Sequence, residues 1–110
     1  MLIDLRQWRF TRCDKMRSQT IGDWDVEKKE IQAWSGLDDL TALDVHCHEL
    51  IEMVLCTLQG VDDKMLLKYD KSHDFAKQVS DMVVAAAGKD PAEHENSLGD
   101  IERTVPVEDR

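Results

Sequence analysis

The segment His48-Glu49-Leu50-Ile51-Glu52 carries the chain's densest set of groups able to do chemistry. On a helix, residues four apart stack on one face, one turn from each other. The His48 imidazole and the Glu52 carboxylate could therefore hold one divalent ion, as the two histidines of an HExxH helix hold zinc. Glu49 would sit beside that ion, where a general base for bound water belongs. A zinc site needs a third protein ligand, and His94 is the first candidate. It lies one turn before Leu98 and two before Ile101, so helical phase turns it inward. His73 ranks second, because its neighbours Phe75 and Val79 place the buried face elsewhere. The expected site is thus His48, Glu52 and His94 as metal ligands, zinc as the ion, and Glu49 as the catalytic base of a hydrolytic reaction.

Other arrangements around this segment are weaker. Asp44 and Cys56 lie one turn to either side, but the stripe drifts by about 40° per four residues, so four side chains cannot converge on one ion. His46 and His48 are about 200° apart on a helix and cannot share a ligand; His46 is expected to be exposed. The plain alternative is a core-boundary histidine bonded to Glu52, since HExxE is short and built of common helix residues. Glu49-xx-Glu52 is also half of the magnesium-binding pattern of MazG-type nucleotide pyrophosphohydrolases, and carboxylates suit that hard ion. The required ExxD and a basic cluster for phosphates are missing. There is no phosphate-cradling glycine loop and no Ser-His-Asp set, and nothing marks Cys13 or Cys56 as a nucleophile. Trp8, Trp24 and Trp34 read as a lid over the core, or else as a partner surface.

The elements that must position these groups are mostly helical. Asp38, Asp39 or Thr41 can cap a helix that ends near Gly60. Leu43, Cys47, Leu50, Val54 and Leu58 recur at spacings of three and four and predict its apolar face. A short helix over about 62–70 would bury Met65, Leu66 and Tyr69. Another follows with Ser72 as cap and Gly88 as terminator, carrying Phe75, Val79, Met82, Val83 and Ala86 on its apolar side. Asp90-Pro91-Ala92-Glu93 is the clearest start signal, with proline in the first helical position. Pro106 is expected to stop this last helix. Upstream, Leu2 to Leu5 predicts a short strand, residues 6–20 read as irregular, and Trp24 to Trp34 predicts a small antiparallel element turning at Lys28-Lys29. The expected fold is α+β and predominantly helical, with a small N-terminal antiparallel sheet packed on three to four helices. It forms one domain over 1–105, with 106–110 as a frayed tail.

The 110 residues, 42 % of them hydrophobic, suffice for one modest core. A net charge of -9 opposes nucleic-acid binding, which needs lysine and arginine at the phosphates. The basic residues gather near the start, at Arg6, Arg9, Arg12, Lys15 and Arg17, and are expected to pair with the chain's own acidic surface. Three cysteines without a CxxC pair fit free thiols in a reducing compartment. The longest apolar run, 82–87, is too short for a membrane span, and no secretory leader pattern opens the sequence. A cytoplasmic protein is the expectation, with a protein partner or a homodimer as candidate assemblies.

The order of several motifs resembles a group of small bacteriophage and prophage proteins. These share Thr-x-Gly-Asp-Trp, a short strand, and a helix with His-Glu-Leu-hydrophobic-Glu. A cysteine, a Gly-Val/Ile step, an aromatic-Asp pair and a late histidine before Ile-Glu follow. Here the positions are Thr20, Gly22-Asp23-Trp24, His48 to Glu52, Cys56, Gly60-Val61, Tyr69-Asp70, His94 and Ile101-Glu102. The resemblance spans about residues 20–103 and implies a phage or mobile-element accessory protein with a metal site on the His-Glu helix. The group often has two histidines in the last helix, whereas His94 here is followed by Glu95-Asn96.

Overall fold

The computed structural model describes residues 4–58 and 66–108, with 66–70 described by backbone alone. A 3-10 turn at Leu5–Gln7 leads into β1 (Arg9–Cys13), β2 (Gly22–Asp25) and β3 (Glu30–Trp34). The helices α1 (Asp39–Leu58), α2 (Leu66–Ala86) and α3 (Pro91–Glu102) follow. The architecture is α+β and helix-dominated, with the sheet N-terminal. No described helix is long and apolar enough to cross a membrane.

The expected hairpin is present: β2 and β3 pair antiparallel, with Trp24 opposite Ile31. Its turn lacks glycine, and Asp25 Oδ1 compensates by accepting from the Glu27 and Lys28 amides at 3.0 and 3.1 Å. Lys29 takes the positive φ of 54° that the turn requires. The sheet also holds a strand that the sequence did not announce. β1 lies in the stretch expected to be irregular and pairs parallel to β3, giving the order β1-β3-β2. Its mostly exposed residues obscure the strand pattern, because it is an edge. Leu5 begins the 3-10 turn rather than closing a strand, and residues 1–3 lie outside the described residues. The basic start does pair internally. Arg9 meets Glu30 at 3.0 Å and Arg17 meets Asp23 at 2.8 Å, while Arg12 donates to the Ser35 and Leu37 carbonyls.

Asp38 caps α1, its Oδ1 accepting from the Thr41 amide at 2.7 Å. The buried face of this helix is not the expected stripe. Thr41, Ala42, Asp44, Val45, Glu52, Met53 and Cys56 are buried, whereas Leu43 and Leu58 are 55 % and 62 % exposed. At about 100° per residue, these two sets lie on roughly opposite sides of the helix. Periodicity chose the more apolar side. The fold buries the side whose acids find partners, between the sheet and α2. The main core joins Met16, Ile21, Ala33, Leu37, Ala42, Val45 and Val105, with Leu98 and Ile101 of α3 packed against it.

Ser72 does not cap a new helix: α2 runs unbroken from Leu66 to Ala86, with Ser72 buried in its interior. The start of the expected helix over 62–70 falls in 59–65, outside the described residues. Gly88, at φ 83°, ends α2 as expected. Asp90 caps α3 through the Ala92 amide at 2.9 Å, with Pro91 in the first turn. Helix α3 stops at Glu102, short of Pro106. Residues 106–108 are tied down rather than loose. The Met16 amide donates to Pro106 O at 2.9 Å, and the Glu108 amide to Met16 O at 2.8 Å.

Gly22 brings β2 against α1, where a Cβ would collide with Val45 Cγ1. Gly22→Ala is therefore expected to lower the unfolding free energy by about 1–3 kcal/mol in urea titrations. Hydrogen bonds from Thr41 lower the Asp38 pKa below its ordinary 3.8. A depressed carboxyl contributes stability above its unfolded pKa and loses it as pH falls through the folded value. Asp38→Ala should cost about 0.5–2 kcal/mol at pH 7, and the gap from wild type should narrow below about pH 4, by parallel urea melts.

Candidate metal centre and the cavity beside it

His48 and Glu52 meet on α1 as the spacing requires, with His48 Nε2 3.2 Å from Glu52 Oε2. The third member of the group is His73 of α2. Its Nδ1 lies 2.9 Å from the same Oε2 and 3.3 Å from His48 Nε2. Three donor atoms thus form a compact triangle that could hold a metal ion. A tetrahedral ion bonded at 2.0–2.1 Å sets its ligand atoms about 3.3 Å apart, so the triangle needs only a small outward adjustment. In the absence of an ion, both imidazoles can direct N–H groups at the one carboxylate oxygen.

The Glu52 carboxylate is 3 % exposed, which makes its orientation depend on partners. Trp24 Nε1 of β2 donates to its other oxygen, Oε1, at 3.1 Å. One oxygen is held by the sheet while the other faces the two histidines. Sequence reasoning placed Trp24 only as a lid or a partner surface; it had no signal for a contact 28 positions away. His73 is the outermost of the three, with 46 % of its side chain exposed against 17 % for His48. An ion there would have its open side toward solvent.

His94 is the expected ligand that the structure places elsewhere. Its Nε2 lies 3.2 Å from Oδ2 of Asp44, one turn before His48, and the triangle is completed by His73 instead. Asp44 also accepts from Ser80 of α2 at 2.5 Å. His46 is half-buried rather than exposed, with Nε2 2.9 Å from the Thr11 carbonyl and its ring edge-to-face with Phe10. Cys56 is buried, and Cys13 and Cys47 are free thiols. Burial, then Asp44, pushes the Cys47 thiol up, which disfavours the nucleophilic thiolate.

Glu49 sits beside His48 on the wall of a cavity of about 360 Å³ between α1, α2 and α3, which His48, His73 and His94 also line. Burial raises the Glu49 pKa well above 4.5, and Glu52, Asp23 and Glu102 raise it further. A carboxyl raised in this way holds a proton more tightly than a solvated glutamate does. The cavity wall is acidic: Asp44, Asp81, Glu95 and Glu102 line it beside Glu49 and Lys77, and Lys77 is paired with Glu95 at 3.1 Å.

No protein-family model matches the chain, and no curated protein or solved structure shows significant similarity to it.

Trp24→Phe keeps the ring and removes the indole donor, leaving a buried carboxylate oxygen short of one partner. It should destabilise the protein by about 1–3 kcal/mol, measured by urea unfolding. Trp34→Phe should cost less, because that indole donates at 3.3 Å to the exposed Asp14 carbonyl.

Proposed function

We propose that the protein binds a divalent transition metal, zinc first, through His48, Glu52 and His73, and that it is a hydrolase. The observation that carries this is the triangle of donor atoms, 2.9–3.3 Å on a side, with the carboxylate fixed from behind by Trp24. Two histidines and one carboxylate are a donor set of catalytic zinc, which keeps a fourth position for water or substrate. When bound, such an ion supplies Lewis acidity and lowers the pKa of water. Glu49, on the cavity wall and next in sequence to a ligand, lies beside the ion in this proposal. The same donor set serves ferrous iron, so the identity of the ion is a matter for metal analysis. The acidic wall works against a nucleoside triphosphate, and with it the pyrophosphohydrolase alternative.

A second proposal is a non-enzymatic accessory protein of the phage or mobile-element kind, binding a protein partner through its acidic surface. It draws on the net charge of -9 and on the internal pairing of Arg6, Arg9 and Arg17. This complex would weaken steeply with salt.

Elemental analysis of protein purified without a histidine tag separates the two. About one zinc per chain is expected, falling below about a tenth in His73→Ala and in Glu52→Gln, while His94→Gln retains it. At zinc a hundredfold above its dissociation constant, stability should rise by about 2.7 kcal/mol. A metal-free protein whose melting temperature responds neither to zinc nor to chelator rules out the metal site.

A further inference from the structure

The Asp44–His94 pair faces the same cavity and has no part in the metal triangle. We propose that His94 is the proton-transferring catalytic residue of this cavity, held by Asp44 as a positioning residue, and that the substrate is an uncharged or cationic ester or amide. This rests on the hydrolytic proposal above.

Asp44 is 2 % exposed and His94 8 %. An ionised carboxylate only accepts hydrogen bonds, so Oδ2 places the imidazole proton on Nε2, at 3.2 Å. The Ser80 hydroxyl donates to Oδ1 and stops the carboxylate from turning. Nδ1 of His94 is then the basic nitrogen. Among the described residues it has no hydrogen-bond partner, yet no buried side-chain nitrogen or oxygen is without one. Nδ1 must therefore reach open space, and the space His94 lines is the cavity shared with His48 and His73.

The pair works as the Asp–His dyads of hydrolases do, with the two ring nitrogens exchanged: the acid fixes the tautomer and stabilises the imidazolium, here through Nε2. In the step inferred here, Nδ1 takes a proton from water as the water oxygen bonds to the acyl carbon. The same proton passes from Nδ1 to the leaving oxygen or nitrogen as the C–O or C–N bond breaks. Water is consumed, an acid and an alcohol or amine are released, and His94 ends as it began. The substrate's charge follows from the wall, where Asp81 and Glu102 face a lysine already paired with Glu95. That field repels phosphates and carboxylates and admits neutral or cationic groups.

The test uses the full chain loaded with zinc, and 4-nitrophenyl acetate as the neutral probe. Wild type is expected to turn it over faster than 4-nitrophenyl phosphate. His94→Ala should lower kcat by about a hundredfold or more with zinc content and KM unchanged, and added imidazole should restore part of the rate. His94→Gln keeps a donor for Asp44 and guards against misfolding; it should be equally inactive and fully folded. Nitrogen-15 NMR of the wild type should find His94 Nδ1 unprotonated. A zinc-loaded wild type that leaves the ester intact overturns the proposal, as do a kcat unaffected by His94→Gln, no rescue of folded His94→Ala, or a protonated Nδ1. Faster turnover of the phosphate overturns the substrate class. Failure to bind zinc sinks the metal proposal instead, and the elemental analysis reads that separately.

Discussion

The structure depends on accommodating two carboxylates, Asp44 and Glu52, that α1 carries into the interior. An ionised carboxylate loses far more on leaving water than a leucine gains, unless hydrogen-bond donors meet it. Here the donors come from every side. Trp24 reaches Glu52 from the sheet, His73 and Ser80 come from α2, and His94 comes from α3. The packing of the helices around α1 is thereby tied to polar geometry as well as to volume. Oil-like contacts tolerate sliding, whereas a histidine set against a buried carboxylate fixes register to within a few tenths of an ångström.

That constraint also explains what was legible in the sequence. The His48–Glu52 pair followed from spacing alone, because both residues lie on one helix and helical phase is local. The Asp90-Pro91 start and the Gly88 stop followed for the same reason. The apolar stripe of α1 misled, since hydrophobic periodicity counts Leu43 and Leu58 as core and counts Asp44 and Glu52 as surface. Burial is decided by whether a partner waits on the other side, and that information lies up to fifty residues away.

The exchange of His94 for His73 has one cause. Taking Ser72 as a cap put His73 at the start of a separate helix, with Phe75 and Val79 toward the core. In the continuous helix, Ser72, Ala76 and Val84 are buried and Phe75 is 52 % exposed. Small residues four apart, Ser72, Ala76 and Ser80, let α2 approach α1 closely and turn His73 to the edge of the contact, against Glu52. The small-residue spacing was in the sequence and was the signal to follow. Trp24 left none, because a hydrogen bond between strand and helix has no local pattern. The edge strand β1 was hidden by its exposure, which made it read as a loop.

Met16 and Val107 are joined by a parallel bridge, with Pro106 and Glu108 bonded to Met16 on either side. This small clasp closes a ring around almost the whole chain. Bringing such distant positions together carries a large loop entropy unless the intervening elements have already condensed. The clasp therefore belongs to the end of folding, after the sheet and helices have met. Before it forms, Met16 and Val105, two nearly inaccessible members of the main core, have lost their enclosing wall. An incompletely folded chain would show itself first at that seam, as a place where water and proteases enter.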